Sequence, residues 1–161
     1  PGTIIQVLQT VKTDTATYGT AAWADISGLS QAITPSAVTS KFKVSTDLQI
    51  GADAYGLAVH LRLARTVGGS TTAIGVGDAA SNRTQCFWGT EEFGRSTTPP
   101  YQMESMSFCF LDDPDTTSAI TYKVQWFVGT DNAYLNRTGG DSDSANYPRG
   151  ASTIMVEEVA A

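Results

Sequence analysis

Catalytic chemistry in this chain has few residues to work with. There is one histidine, His60, and there are two cysteines, Cys86 and Cys109, among 161 residues. A Ser-His-Asp or Cys-His relay would have to run through that single imidazole, and no Gly-x-Ser-x-Gly elbow is present. His60 lies within an alternating apolar run and reads as a structural or interface residue. One His and two well-separated Cys give no ligand pair at zinc spacing. Carboxylates are the remaining acid–base groups. Glycoside hydrolysis needs two of them about 5–10 Å apart, one with a raised pKa. Glu91-Glu92, Glu104, Glu157-Glu158 and the Asp112–Asp115 cluster contain such groups, but their spacing does not bring any two together, and solvated acids are the simpler reading. Asp141-Ser142-Asp143 with Asn146 has some of the spacing of a calcium loop. It lacks the closing bidentate Glu, since Glu157 is too far along, so a polar loop is favoured. No catalytic residue, cofactor or metal is therefore expected.

Binding is a better prospect. Trp126, Phe42, Phe108 and Phe127 sit in strand-like runs and read as core, whereas Trp88, Phe93, Tyr101, Tyr134 and Tyr147 lie in or beside polar stretches. The run Trp88-Gly89-Thr90-Glu91-Glu92-Phe93 combines flat rings with carboxylates, the pairing by which proteins stack a sugar face and take its hydroxyls. The candidate recognition surface is thus the loop around residues 88–93 with the segment 130–149. Trp88, Phe93, Tyr134 and Tyr147 would be stacking groups, and Glu91, Asn136, Arg137, Asp141 and Asp143 polar partners. The competing reading packs these rings under their own loops or at a subunit contact, where aromatics are also enriched. Asn82 and Asn136 each head an Asn-x-Thr triplet, which matters only in a eukaryotic secretory pathway.

The elements that must position these groups are strands. Charged residues make up only 16 % of the chain, and its Thr, Ser, Ala and Gly suit strands and tight turns. Phe42, Val44, Thr46, Leu48 and Ile50 alternate with Lys41, Lys43, Ser45, Asp47 and Gln49, which places one sheet face in the core and one in water. Leu57, Val59, Leu61 and Leu63 do the same against Ala58, His60, Arg62 and Ala64, as do Ile120, Tyr122, Val124, Trp126 and Val128. The pattern predicts eight to ten strands and no long helix: residues 3–12, 22–34, 41–51, 55–66, 72–76, 84–89, 101–112, 119–129, 132–137 and 152–160. Gly68-Gly69-Ser70 and Gly139-Gly140-Asp141 mark turns between them. The length fits one domain spanning 1–161, and many strands with short polar turns predict an all-β antiparallel sandwich.

A net charge of −6 argues against nucleic acid as a partner, since phosphate binding needs clustered Lys and Arg. No apolar run reaches the ~18 residues that span a bilayer, and no basic leader with an apolar segment is present, so membrane insertion is not expected. Cys86 and Cys109 each lie in an apolar run; a disulfide is open to them, but buried free thiols are favoured. Apolar residues on both sides of one strand, Met103 and Cys109 against Met106, Phe108 and Phe110, predict that a neighbouring subunit covers the second side.

The order of several short stretches also resembles a family. Gly2-Thr3-Ile4-Ile5-Gln6-Val7 to Lys12-Thr13-Asp14-Thr15, Asp25-Ile26-Ser27-Gly28-Leu29, Ile33-Thr34-Pro35-Ser36 and Ser40-Lys41-Phe42-Lys43-Val44 come first. Ile74-Gly75-Val76-Gly77-Asp78, Asn82-Arg83-Thr84, Ser105-Met106-Ser107-Phe108, Thr121-Tyr122-Lys123-Val124-Gln125 and Tyr147-Pro148-Arg149 follow. Together they resemble the C-terminal domains of tail-fibre and other virion-surface proteins of bacteriophages, especially aquatic ones, over nearly the whole chain. The resemblance implies a jelly-roll-like β-sandwich, commonly a homotrimer, made in the host cytoplasm and carried on the virion beside other virion proteins. It also implies a non-enzymatic role, either a fibre tip or receptor-binding module recognising a host-surface glycan or protein, or a purely structural module such as a trimerising fibre segment or capsid decoration. The start on Pro1-Gly2 is compatible with a fragment of a longer fibre or virion protein.

Overall fold

The structure, a computed structural model, describes residues 2–53, 57–93 and 102–160, with the backbone alone at 57 and 91–93. Eleven strands form among them: β1 (Thr3–Lys12), β2 (Ala16–Tyr18), β3 (Ala24–Ile33), β4 (Lys41–Ala52), β5 (Leu57–Val67), β6 (Ser70–Ile74), β7 (Trp88–Phe93), β8 (Met103–Asp112), β9 (Ile120–Val128), β10 (Ala133–Leu135) and β11 (Ser152–Ala160). No helix occurs among the described residues.

All pairings are antiparallel and fall into two sheets. In the first, β4 pairs β11 on one edge and β8 on the other, β11 pairs β1, and β10 continues beside β4 to reach β2. In the second, β9 lies between β3 and β5, and β6 and β7 share the far edge of β5. The eight longest strands thus run β1-β11-β4-β8 in one sheet and β3-β9-β5-β7 in the other. That order is a jelly roll, two interlocked Greek keys pressed face to face.

The alternations seen in the sequence fill the space between the sheets. Phe42, Val44, Leu48 and Ile50 from β4 meet Val59, Leu61 and Leu63 from β5 and Ile120, Val124 and Val128 from β9 in one core. Each such side chain contributes about 1.5–3 kcal/mol when fully buried. Met106, Phe108 and Phe110 also share the inward side of β8, and the Phe108 ring stacks on Phe87 at 4.5 Å. The sheets are further clasped by charge. Asp112 at the end of β8 accepts two hydrogen bonds from Arg65 of β5, both 2.8 Å, and one from the Tyr122 hydroxyl of β9 at 2.7 Å. Burial, and then the Asp112 carboxylate it donates to, hold the Tyr122 phenol far above its ordinary pKa.

Local chemistry explains the remaining joints. Gly68 and Gly69 have φ of 56° and 83°, the paired left-handed residues that close a two-residue hairpin between β5 and β6. Glu158 points inward from β11 and receives the Ser36 amide and the Gln6 side-chain amide, each at 2.6 Å, which pins the β3–β4 connection to the first sheet. Burial alone would raise its pKa; the Ser40 hydroxyl beside it and hydrogen bonds from Ser36 and Gln6 outweigh that and lower the carboxyl below its ordinary value.

Two expectations need correction. The strand sought at 84–89 is β7 at Trp88–Phe93, so the supposed loop around 88–93 is sheet, and β2 was not foreseen. The thiols are free, as favoured, but neither is buried: Cys86 is half-buried and Cys109 exposed.

Candidate functional site

The segment after β10 gives the clearest sorting of the candidate residues. Tyr134 is 6 % exposed and Asn136 is fully buried, so neither is a surface contact group. The Asn136 side-chain amide donates to the carbonyls of Lys12 and Asp14 at 2.8 and 2.9 Å, and its oxygen accepts from the Ser152 hydroxyl at 2.6 Å. Its backbone takes φ of 61° and its backbone N–H donates to the Gln49 carbonyl at 2.8 Å, so one residue ties β1, β4 and β11 together. Arg137 lies over the Tyr134 ring at 3.4 Å and donates to the Thr138 and Gly139 carbonyls. Burial, then the nearby Asp53 carboxylate, push the Tyr134 phenol upward. These three residues shape the base of the loop and do not present a ligand surface.

Beyond that base the loop opens. Asp141, Asp143, Tyr147 and Arg149 line a concavity of about 340 Å³ with Ser142 and Ser144. Backbone hydrogen bonds Ser144–Ser142 (2.8 Å) and Tyr147–Ser144 (3.0 Å) curl the chain, and an isolated bridge between Arg137 and Arg149 closes it. Arg149 ion-pairs with Asp141, which takes that carboxylate out of any calcium set. Among the described residues, no three His, Cys, Asp or Glu side chains converge as metal ligands. Three candidates, Asp141, Asp143 and Tyr147, are thus brought together, and Arg149 joins them unforeseen; its place six residues after Asp143 in the same polar segment was the available signal.

The other candidates are elsewhere. Trp88 opens β7 in the second sheet opposite Leu61 and packs, half-buried, against the core. Of Glu91 and Phe93 only the backbone, in β7, is described; their side chains lie outside the described residues, and Tyr101 does so entirely. Four of the acids considered for glycoside chemistry are engaged in the framework, while the side chains of Glu91 and Glu92 lie outside the described residues. Besides Asp112 and Glu158, Asp113 pairs with Lys41 at 2.7 Å and Glu157 with Lys43 at 2.6 Å.

The outward sides of the two sheets carry features that strand periodicity alone does not reveal. On the first sheet, Val7, Gln9 and Val11 face out beside Glu157, Met155 and Thr153, then Lys43, Ser45 and Asp47, then Leu111, Cys109 and Ser107. Ile4, Ile5, Val7, Val11 and Leu111 are 47–56 % exposed there. On the second sheet Phe127, read as core, is half-buried on the outward side. It packs against Trp23 (5.9 Å) and His60 (5.5 Å), with Arg62 over the Trp23 ring at 4.1 Å. Next to His60 lies a cleft of about 480 Å³, lined also by Asn82, Arg83, Thr84, Cys86 and Gly89.

No family model and no curated protein matches the chain. Among solved structures, a subviral particle of infectious bursal disease virus VP2 aligns at 14 % identity and a TM-score of 0.49, over 96 % of this chain and 41 % of that one. The T13 particle of the same virus aligns at 14 % identity and 0.48, over 96 % and 37 %. The chain therefore spans about two fifths of the solved chains it matches. Neither is a bacteriophage fibre, and at these values the jelly roll rests on the strand order itself.

Proposed function

We propose that the chain is a non-enzymatic virion module that is built into its particle through contacts between copies of itself. The fold class is one used by viral capsid and lectin domains, and the order of short stretches resembles bacteriophage virion-surface proteins. A fold alone does not assign a function, so the reading is carried by one surface. On the outward side of the first sheet, Ile4, Ile5, Val7 and Val11 stand exposed on edge strand β1, and Leu111 on β8. Exposed apolar clusters of this kind mark contact sites. The occupant favoured is a second copy. Most charge in this surface is balanced in place, Lys43 by Glu157 and Lys41 by Asp113, and Asp47 is held by the Ser105 and Ser107 hydroxyls, so a neighbouring copy packs on it with little of the repulsion that a net charge of −6 would otherwise bring. Closed cyclic symmetry then gives a small homo-oligomer, a trimer in this reading. Asp112, Asp113 and Glu157, three of the carboxylates suited to acid–base work, are held in ion pairs, which supports a role without catalysis. Immunogold labelling of purified particles with antibody raised against the chain tests the virion placement; particles that carry no label would refute it.

A second reading, attachment to a host-surface glycan or protein, is favoured by the Asp141–Arg149 concavity, where the Tyr147 ring, two acids and an arginine share one opening. Tyr147→Ala should then reduce adsorption of the labelled chain to bacterial cells while leaving its melting temperature almost unchanged. Unaltered adsorption would leave the structural role alone.

A further inference from the structure

We infer that the outward side of the second sheet holds a separate binding site, the cleft at His60 and Arg83, for a sugar that bears a carboxylate. Gly89 lets one wall of the cleft form: a Cβ there would lie 2.4 Å from Cδ2 of His60 and 3.1 Å from Sγ of Cys86, so the imidazole and the thiol sit directly against its backbone. Glycine inside a strand weakens it, and its use here marks a close approach of another group. One wall is the turn leading to Arg83, closed by the Arg83 amide on the Ala80 carbonyl at 3.1 Å with Ser81 at φ 53°. The other is the imidazole of His60, which continues through Phe127 to Trp23 as a run of rings on the same side of the sheet.

Charge selects the ligand. Lys12, Lys41, Lys43, Arg65, Lys123 and Arg149 each pair with a carboxylate. Arg83 is exposed, and among the described residues its guanidinium makes only a long 3.5 Å bond to the Ala80 carbonyl. In a chain of net charge −6, a guanidinium without a carboxylate at the mouth of a cleft is placed to take one from a ligand, as planar forked donors do. Asn82 and Thr84 supply donors and acceptors for hydroxyls, and the His60 imidazole supplies a flat face for the ring of the sugar. A carboxylated sugar satisfies all three. This goes beyond the attachment reading: it concerns other residues and is tested with isolated sugars, so it stands or falls apart from adsorption to cells.

The test is a nitrogen-15 NMR titration of the full chain with methyl glucuronide, with methyl glucoside and inorganic phosphate as separate arms. Methyl glucuronide should shift the amides of Arg83 and Gly89 saturably, and methyl glucoside should bind at least about tenfold more weakly. Arg83→Gln, an exposed change that leaves the melting temperature intact, should weaken glucuronide binding about ten- to hundredfold, the loss expected for a charge-assisted hydrogen bond. Gly89→Ala should weaken it by displacing the His60 ring that walls the cleft. Equal binding of the two glycosides, shifts produced as well by phosphate alone, or an Arg83→Gln chain that binds unchanged would each overturn the assignment.

Discussion

The two sheets present opposite solutions to the same problem. Each has one side in the core and one outside, and antiparallel sheets commonly leave the outer side wet. The second sheet covers its own outer side: Trp23 lies on Arg62 and Phe127, and the Gln125 amide donates to Asp25 at 2.6 Å while its oxygen accepts from Arg62 at 2.8 Å. The first sheet leaves aliphatic side chains of β1 bare, on an edge strand with no charge from Thr3 to Val11. Natural sheets usually blunt such edges with charges or proline, and β1 carries only a bulge between Ile4 and Gln6. One side is finished within the chain, and the proposed function has the other finished by a partner copy.

That comparison presupposes that the two sheets are locked together, and the lock can be broken. Asp112→Ala should be the most damaging change, costing about 3–5 kcal/mol, because it strands Arg65 and the Tyr122 hydroxyl in the interior. Chemical denaturation measures it, and a loss under about 1 kcal/mol would mean the clasp is incidental. Asn136→Ala should follow at about 2–3 kcal/mol, since it orphans the buried Lys12 carbonyl, the part-buried Asp14 carbonyl and the Ser152 hydroxyl. Asp141→Ala, which breaks an exposed pair in the same segment, should stay within about 1 kcal/mol. Equal effects of the two would contradict the division of residues 136–149 into framework and open loop.

Much of this was legible in the residues. Phe42 to Ile50 and Ile120 to Val128 alternate so cleanly that core side and strand limits follow from period two alone. The outer sides were not legible in the same way. Phe127 sits on the polar side of its strand, and only the register that brings Trp23 and His60 beside it shows why a ring belongs there. Asn136 and Tyr134 look like polar loop residues because burial by distant strands leaves no local pattern. β2, at three residues, is too short to alternate, and it is fixed by Tyr18 stacking on Trp126 at 5.5 Å.

The sides can also be compared directly by truncation. Trp23→Ala should cost about 1–2 kcal/mol, since it uncovers Phe127 and removes the ring under Arg62, whereas Val7→Ser should cost no more than about 0.5 kcal/mol in the separated chain. The reverse order in thermal melts would mean that the second sheet is the one awaiting a partner.

The smallest effect concerns acid. The Glu158 carboxyl titrates below its ordinary 4.5 in the folded chain. Its contribution is complete above the unfolded value and is lost as pH falls through the lowered folded value. Glu158→Gln should therefore flatten the fall in melting temperature below about pH 5, and an unchanged acid limb would show that other groups carry it.

The central claim, that the bare side of the first sheet is closed by copies of the chain, is tested most directly by light scattering of the purified chain at micromolar concentration. The account predicts a particle of three times the 17.0 kDa chain mass, falling to the chain mass in Val7→Lys with its melting profile preserved. A stable 17.0 kDa species in the unaltered chain, or an oligomer indifferent to Val7→Lys, would contradict it.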